Sequence, residues 1–419
     1  MLDLFPDSAA TDQGELALGG VRATALADEF GTPLYVYCEQ TIRAQARAYR
    51  AAAPDALVAY GSKAFPNLAV LELLAEEGLG ADVSTLGELE LARRAGIPGE
   101  RLVVHGNNKS DEELRAAAEA RAAFVVLDSP DEVERAAAAG VERVLVRVTS
   151  GIEADTHEAI RTGTHGSKFG LTPEDAVEAL RAAAAAGLDP AGLHVHVGSQ
   201  LLDTQAARMT VEWLGAFAAV CAAELNGWQP AVVDLGGGLG VRHVEDEEAP
   251  SVEEFAGELL RRLERAWELH GLARPLVVLE PGRSIVGRAG VALYRVGSVK
   301  RAGDTTTWVA VDGGMSDNPR PQLYGARYTA VIAGRPEELG EHAYAVTGKH
   351  CEEEILIRRV LLPEPRRGDV LAIPAAGAYT LAMSSNYNLV PRPAAVLVGD
   401  GDARLIRRRE TLDDMVGLG

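Results

Sequence analysis

Eight short β-rich runs alternate with stretches of helical composition between about residues 58 and 279, and this alternation most constrains the fold. The runs are residues 58–60, 80–83, 102–104, 124–127, 144–148, 193–197, 232–235 and 276–279. Segments rich in Ala, Leu, Glu and Arg, such as 111–120 and 173–186, lie between them, which is the pattern of βα units. Eight such units predict an α/β fold, a (β/α)8 TIM-like barrel.

A polar or glycine-rich group follows nearly every run. These groups are Lys63, Asp82 to Ser84, His105 to Asn108, Asp128, Arg147, His196 to Ser199, Gly236 to Gly238, and Glu280 to Arg283. In such a barrel the C-terminal strand ends form the active-site face. A doubly wound open sheet is the rival fold, but its glycine fingerprint belongs in the first βα turn, whereas this glycine cluster follows the seventh run. We therefore favour the barrel.

A second, β-rich domain is predicted beyond about residue 290, where the helical stretches thin out. Its strands are predicted at residues 291–299, 308–311, 328–333, 370–373 and 394–398. A chain of 419 residues is expected to form two domains. We assign the barrel to residues 36–285 and the β domain to residues 1–35 and 286–419, because the N-terminal segment is not needed for a barrel strand.

Charge and cysteine content narrow the class of partner and the compartment. The 41 basic and 61 acidic residues give a formal charge of −20, which opposes general affinity for nucleic acid or anionic membrane. The three cysteines, Cys38, Cys221 and Cys351, are odd in number and far apart, so they support neither a disulfide framework nor a CxxC metal site. No apolar run of about 18 residues or secretory leader is visible. We expect a cytoplasmic protein.

Lys63 and the GGGLG segment are the first candidates for chemistry. Lys63, in YGSKA, directly follows the first run; an isolated lysine would be assigned to the surface, but a desolvated lysine at a barrel strand end can form a Schiff base. Gly236 to Gly240 could form only a tight turn. Late loops of a barrel, however, commonly bind phosphate through backbone N–H groups that glycine leaves accessible. Together, these features suit pyridoxal phosphate.

The segment EPGRS supplies Glu280 and Arg283 at the last strand end, where the alternative is an ordinary internal salt bridge. A carboxylate beside the pyridine nitrogen would keep it protonated and make the ring an electron sink. His196 could stack on the ring, while His194 could be a hydrogen-bonded core residue. A His-x-His pair also binds zinc, but no third ligand stands at recognisable spacing, so we predict no metal.

Eleven ordered motifs extend over nearly the whole chain, namely YGSKAF, GADVSTLGELELARRAGIP, HGNNKSDEEL, SKFGL, GLHVHVGSQ, VDLGGGLG, EPGRSIVG, VDGGMSDNPRPQLYGARY, GKHCE, AGAYTLAMSSNYN and PRPAAVLV. They resemble the fold-type III pyridoxal-phosphate decarboxylases, which have an alanine-racemase-like fold, and within them the meso-diaminopimelate decarboxylases of lysine biosynthesis. The resemblance implies a lyase that uses pyridoxal 5'-phosphate to convert meso-2,6-diaminoheptanedioate to L-lysine and CO2.

The same resemblance assigns roles to matching residues. It implies that Lys63 carries the cofactor, that His196 stacks on it, that Glu280 is catalytic and that Cys351 is the proton donor. The other cofactor contacts are Asp82, Ser199, Gly236, Gly237, Gly238, Pro281, Gly282, Arg283 and Tyr379. The substrate contacts are Arg283, Arg320, Tyr324, Glu352 and Tyr379. In the family, the residues of the β domain serve the active site of a neighbouring subunit, which implies a homodimer with shared sites.

Two features bear on the substrate. Arg320 supplies a second fixed cation able to grip a distal carboxylate, which favours a dicarboxylic amino acid. After GKHCE the diaminopimelate enzymes usually continue with Ser-Gly-Asp, whereas this chain reads Glu353, Glu354 and Ile355 and is one residue shorter. Two extra carboxylates could repel an anionic substrate, so a related decarboxylase for another amino acid or a carrier-linked acid is the alternative.

Two further functions compete with a decarboxylase. A racemase needs a general base on each face of the substrate carbon, and Cys351 would have to supply the second base. A non-catalytic binder of the same fold would normally lack the lysine or the cofactor carboxylate, and both are present as Lys63 and Glu280. We therefore expect a decarboxylase.

Overall fold

The computed structural model describes residues 2–152, 167–303 and 306–417. The chain divides into two compact units. The first, which we call the barrel unit, comprises Gln45–Gly240 and Ala249–Ser284. The second, which we call the sheet unit, comprises Met1–Ala44, Val241–Glu248 and Ile285–Gly419.

The barrel unit contains a closed barrel of eight parallel strands. In chain order these strands are Leu57–Gly61, Gly80–Val83, Leu102–Val104, Phe124–Leu127, Arg143–Arg147, Asp189–His194, Val232–Asp234 and Leu276–Leu279. The barrel closes because Val278 of the last strand pairs with Leu57 of the first. The predicted α/β barrel is confirmed.

Helices alternate with these strands. They are Leu68–Glu76, Leu86–Arg94, Asp111–Glu119, Glu132–Ala139, Pro173–Ala185, Gln205–Glu224 and Val252–His270, and helix Glu39–Ala52 precedes the first strand. Two of the helix starts are specified by capping boxes: Ser110 accepts a hydrogen bond from the N–H of Glu113, whose side chain accepts one from the N–H of Ser110. Ser251 and Glu254 repeat the arrangement. Such reciprocal bonds satisfy backbone donors that a helix leaves open.

Helix Gln205–Glu224 is long and apolar enough to cross a membrane by length and composition, and it alone among the described helices meets that test. Half of its apolar window is buried. It packs against helix Val252–His270, and Gly215 permits a close approach, since a Cβ there would lie 2.7 Å from the Cβ of Ala266. The helix therefore packs as one of the helices of the barrel unit.

The sixth barrel strand ends earlier than predicted. Residues 193–197 were expected to be extended, but the strand spans Asp189–His194. The N–H of Val195 still donates to the carbonyl of Asp234, after which the chain leaves the ladder. The rings of His194 and His196 are nevertheless nearly parallel, at 9° with centroids 6.5 Å apart.

The sheet unit contains a nine-stranded sheet and a small three-stranded sheet. The strands of the large sheet are Leu34–Cys38, Gly290–Ala302, Thr306–Val311, Val331–Ile332, His342–Thr347, Ile357–Leu362, Val370–Ile373, Ala394–Gly399 and Asp402–Arg407. Those of the small sheet are Ala10–Asp12, Glu15–Leu18 and Val21–Arg22. Short helices of this unit lie at Ala23–Phe30, Arg320–Tyr324 and Leu412–Val416, with 3-10 turns at Leu2–Leu4, Leu381–Met383 and Tyr387–Leu389. The barrel unit has 3-10 turns at Ser62–Ala64 and Gly99–Arg101, and the short helix Arg283–Val286 spans the boundary at residue 284.

Strand Leu34–Cys38 lies inside the large sheet and crosses the predicted boundary at residue 36. It pairs antiparallel with Gly290–Ala302 and parallel with Ala394–Gly399. Residues 36–44, together with 241–248, are therefore grouped with the sheet unit. The predicted strand 328–333 is much shorter, as Val331–Ile332. Four strands of the large sheet were not predicted, namely Leu34–Cys38, His342–Thr347, Ile357–Leu362 and Asp402–Arg407, and neither were the three strands of the small sheet.

Candidate active site

Lys63 lies in a 3-10 turn, Ser62–Ala64, immediately after the first barrel strand. Its Nζ is 2.7 Å from Oδ2 of Asp82, a buried carboxylate at the second strand. The Lys63 side chain keeps 46% of its surface exposed. The turn is fixed by the hydroxyl of Ser62, which donates to the carbonyl of Asp82 at 2.8 Å. The structure thus combines a solvent-accessible amine with a fixed counter-ion.

Glu280, at the end of the last strand, lies buried beside two histidines. Its Oε1 is 2.5 Å from Nε2 of His105, and its Oε2 is 3.6 Å from Nε2 of His194. Burial acts to raise the pKa of Glu280, but the charge and hydrogen bond of His105 outweigh it and hold this pKa well below the usual carboxyl range. Burial lowers the pKa of His194 to about 3. Glu280 is therefore ionised at neutral pH, while His194 is neutral.

Asp234 adds a second carboxyl to this buried group. Burial raises its pKa well above the usual range, and the neighbouring charge of Glu280 adds to the effect. Oδ1 of Asp234 accepts a hydrogen bond from the N–H of Gly236 at 2.8 Å. Glu280 is therefore the stronger acid of the pair and Asp234 the weaker, as expected for two buried acids at close range.

The same group adds candidate metal ligands that spacing along the sequence did not show. Potential ligand atoms of His105, His194, Asp234 and Glu280 lie within 4.8 Å of one another, and they come from different strand ends. His105 and Glu280 are, however, in direct hydrogen-bond contact at 2.5 Å. Two ligands of one ion are normally separated by that ion, which bonds each at about 2.0–2.2 Å. We interpret the group as a hydrogen-bonded charge centre.

His196 is fixed by the glycine segment that follows the seventh strand. The N–H of Gly237 donates to Nδ1 of His196 at 3.4 Å. Gly236 has a φ of 65°, and a Cβ there would lie 2.5 Å from Nδ1 of His196, so only glycine fits. Burial lowers the pKa of His196 well below its usual value, and the charge of Lys63 adds to this. The imidazole is therefore neutral, as suits a ring that stacks on another.

The remaining candidates of the barrel unit lie close to these groups. Nη2 of the buried Arg283 donates to Oγ of Ser199 at 3.1 Å. The carbonyl of Pro281 accepts a hydrogen bond from the N–H of Gly61 at 3.0 Å, which ties the segment after the last strand to the end of the first. A Cβ on Gly61 would lie 3.5 Å from the Cα of Gly282. The barrel thus brings the loops after strands one, six, seven and eight together.

This arrangement fits pyridoxal phosphate. Within the described chain, both ring nitrogens of His194, Oδ2 of Asp234 and Oδ1 of Asp82 are buried without a hydrogen-bond partner. Buried polar atoms normally have partners, so atoms without partners around an ionised carboxylate indicate a missing polar group. The site also offers a chemical partner for each part of the cofactor. Lys63 supplies an amine for the aldehyde and Glu280 a carboxylate for the pyridine nitrogen. The glycine segment and Arg283 supply N–H donors for the phosphate.

The sheet unit carries the residues predicted to bind substrate. Arg320 is buried, and its Nη1 contacts Nε2 of His243 at 3.0 Å and the hydroxyl of Tyr328. No carboxylate among the described residues is within ion-pair distance of Arg320, and its Nε is buried without a hydrogen-bond partner. A buried guanidinium without a counter-ion is suited to bind an anionic ligand.

Of the other predicted residues of the sheet unit, Cys351, Glu352 and Tyr379 lie in loops, and Tyr324 is the last residue of the short helix Arg320–Tyr324. Cys351 is an exposed free thiol. Glu352 is exposed, and its carboxylate accepts a hydrogen bond from the hydroxyl of Tyr387. The hydroxyl of Tyr324 lies 3.9 Å from the sulfur of Met383. Tyr379 has a positive φ of 57°, a conformation that costs a non-glycine residue energy and is common at functional sites.

Sequence reasoning missed several contacts that shape the site. The sequence identified His105 only as part of a strand-end group and did not identify Asp234, although both residues affect the charge of Glu280. His243, which holds Arg320, carried no sequence signal. Glu354 was interpreted as an extra carboxylate facing substrate, but it is buried. Each of these contacts joins residues of different strands or loops, so spacing along the chain could not reveal it.

Comparisons with family models, known proteins and solved structures show which protein family the chain resembles. Residues 39–287 match the family model of the pyridoxal-dependent decarboxylase, pyridoxal binding domain. The diaminopimelate decarboxylase of Actinosynnema pretiosum subsp. auranticum is 45% identical over 99% of this chain and 94% of the relative. That of Bacillus subtilis (strain 168) is 40% identical over 99% and 97%. The crystal structure of diaminopimelate decarboxylase from M. jannaschii in co-complex with L-lysine superposes with a TM-score of 0.90 at 32% identity, over 98% of this chain and 97% of that one.

Proposed function

The chain belongs to the diaminopimelate decarboxylases of the pyridoxal-dependent decarboxylase family, and from this premise we propose how its residues remove CO2 from meso-2,6-diaminoheptanedioate to give L-lysine. The observation that carries the proposal is the pairing of an accessible Lys63 amine with an ionised, buried Glu280 at the strand ends of one barrel. A structural relative was solved with L-lysine bound, the product expected here.

The barrel unit would hold the cofactor. Lys63 would bind its aldehyde group, His196 would stack on its ring, and Glu280 would accept a hydrogen bond from its pyridine nitrogen. The other contacts from this unit would be Asp82, Ser199, Gly236, Gly237, Gly238, Pro281, Gly282 and Arg283, and Tyr379 of the sheet unit would add one more. When bound, pyridoxal phosphate supplies an electron sink for the electrons left behind as CO2 departs. His105 keeps Glu280 ionised, so the carboxylate can hold a proton on its partner nitrogen throughout turnover.

The sheet unit would bind the distal end of the substrate and donate the proton that replaces CO2. Arg320 is a fixed cation for the distal carboxylate, and Glu352 is an anion for the distal ammonium group; Arg283, Tyr324 and Tyr379 add contacts. Cys351 is exposed and carries a transferable proton on Sγ, which we assign to the substrate carbon that loses CO2. A proton from Cys351 completes the reaction, and solvent restores the thiol.

We further propose that the active enzyme is a homodimer in which the sheet unit of one protomer completes the barrel site of its partner, and that it acts in the cytoplasm. All three cysteines are free thiols, as expected in a reducing compartment. Co-expressed Lys63→Ala and Cys351→Ala subunits, each inactive alone, should form mixed dimers with one intact site. Random pairing should restore about a quarter of wild-type activity. Verified mixing without recovery would refute the shared site.

The alternative, decarboxylation of another amino acid or a carrier-linked acid, rested on two extra carboxylates beside Glu352. The structure weakens that reason, because Glu353 is exposed while Glu354 is turned inward and buried. The family relationship also does not favour it.

Borohydride reduction tests the cofactor assignment. The purified protein should be yellow, and reduction followed by mass spectrometry should find the cofactor on Lys63. Reduced cofactor on Lys109 or Lys168, or no adduct at all, would contradict the assignment.

A further inference from the structure

Glu354 is a buried carboxylate in the loop that carries Cys351 and Glu352. Only 2% of its surface is exposed. Its Oε1 accepts hydrogen bonds from the backbone N–H of His350 at 2.9 Å and from Nδ1 of the same residue at 2.7 Å. Its Oε2 accepts one from the backbone N–H of Met315. The carboxylate therefore binds two loops that lie 35 or more positions apart in the chain.

The surrounding backbone makes room for this carboxylate. A Cβ on Gly348 would lie 2.2 Å from Oε1 of Glu354, and a Cβ on Gly314 would lie 2.5 Å from both carboxylate oxygens. Gly314 also has a φ of 149°. The N–H of Lys349 donates to the carbonyl of Gly313 at 3.0 Å, which joins the same two loops a second time. Two glycines thus leave the space that the carboxylate fills.

The three residues between His350 and Glu354, namely Cys351, Glu352 and Glu353, are exposed. They form a short loop whose two ends are joined by the Glu354 carboxylate. Moving the two ends of this loop apart would break at least one hydrogen bond to the buried carboxylate, and bonds to a carboxylate are the strong ones.

We propose that Glu354 is a positioning residue, which holds Cys351 and Glu352 in the conformation that meets the substrate and links their loop to the 313–318 segment that leads to Arg320. This inference rests on the proposed roles of Cys351, Glu352 and Arg320. Glu354 does not touch substrate; it acts by accepting three N–H hydrogen bonds. A glutamine cannot accept all of them, because its NH2 group would face an N–H donor.

Glu354→Gln tests the proposal, and Glu353→Gln is the matched control, since it makes the same chemical change at the exposed neighbour. Glu354→Gln should lower kcat on meso-diaminopimelate at least about 10-fold, while the visible absorbance of the cofactor on Lys63 stays unchanged. Hydrogen exchange at the amides of His350 and Met315 should accelerate at least about 10-fold. Glu354→Asp, which keeps the charge but is one C–C bond of about 1.5 Å shorter, should fall between the two.

Should Glu354→Gln fail to fold, Gly348→Ala displaces the same carboxylate from the opposite side and should show the same loss of kcat and of amide protection. Unchanged kcat and exchange in Glu354→Gln or Gly348→Ala, equal to those of Glu353→Gln, would overturn the proposal. Faster exchange with an unaltered kcat would likewise refute a positioning role. If the wild-type enzyme fails to act on meso-diaminopimelate, the proposed function fails, while hydrogen exchange still reports on the contact itself.

Discussion

Lys109→Met removes a buried ammonium group that stabilises the barrel next to the catalytic charge centre. Lys109 is 1% exposed. Its Nζ donates to the carbonyls of Gly106 and Val126, both at 2.7 Å, and lies 3.1 Å from the carboxylate of Glu132. The loop so fixed begins at His105, which contacts Glu280. The substitution therefore tests both stability and the charge centre.

The loss in free energy of unfolding caused by Lys109→Met can be estimated from these contacts. Removing one partner of a buried ion pair typically costs about 3–5 kcal/mol, because the other charge remains buried. Glu132 keeps two backbone hydrogen bonds, from the N–H of Asp128 at 2.8 Å and from the N–H of Lys109 at 3.4 Å, which places the ion-pair loss toward the lower end. The two carbonyls lose their donor, at about 1 kcal/mol each. We expect a total loss of about 5 kcal/mol.

Urea unfolding followed by circular dichroism measures this loss. The double variant Lys109→Met with Glu132→Leu should recover about half of it or more, since replacing both members of a buried pair with apolar residues is often close to neutral. In addition, kcat of Lys109→Met should fall while cofactor is still bound, because the His105 loop is loosened. A loss below about 1 kcal/mol, or a double variant less stable than the single one, would refute this reasoning.

Three other predictions follow from single groups. Glu280→Gln should still bind cofactor but lose about 100-fold or more in kcat; an unchanged kcat would make the carboxylate structural. Arg320→Ala should raise KM at least about 30-fold, equivalent to the roughly 2–5 kcal/mol of a desolvated charged contact, and an unaltered KM would remove the physical argument for a dicarboxylic substrate. Burial raises the pKa of Asp317 from 3.8 to about 6, so the folded state binds a proton more tightly than the unfolded chain and loses stability as pH rises through this window. Relative to Asp317→Asn, the free energy of unfolding of the wild type, measured in urea, should fall by roughly 2.5 kcal/mol between pH 4 and 7; parallel pH curves would contradict it.

The barrel could be predicted from the sequence because its signal is local and repeated. Each parallel strand is buried on both faces and appears as a short apolar run, and the chemistry follows at the strand ends. That rule selected Lys63 and Glu280 before any contact was known. Motif resemblance then assigned the roles of Cys351, Arg320 and the other substrate residues, which no periodicity could have indicated.

Contacts between distant segments could not be predicted in the same way. Strands His342–Thr347 and Ile357–Leu362 have exposed as well as buried positions, so their apolar pattern is weak. His105 acquires its role only because barrel closure places it 2.5 Å from Glu280. The sequence shows that Glu354 follows two other glutamates, but not that backbone donors from two loops turn its carboxylate inward.

The most direct test of the central claim is release of CO2 and formation of L-lysine from meso-diaminopimelate by the purified, cofactor-loaded protein. Lys63→Ala is the matched variant, and L-ornithine and L-lysine are the competing substrates. We expect turnover of meso-diaminopimelate with L-lysine as the product, at least about 100-fold preference in kcat/KM over either monocarboxylic diamine, and no turnover by Lys63→Ala. No CO2 from meso-diaminopimelate, or equal turnover by Lys63→Ala, would contradict the claim.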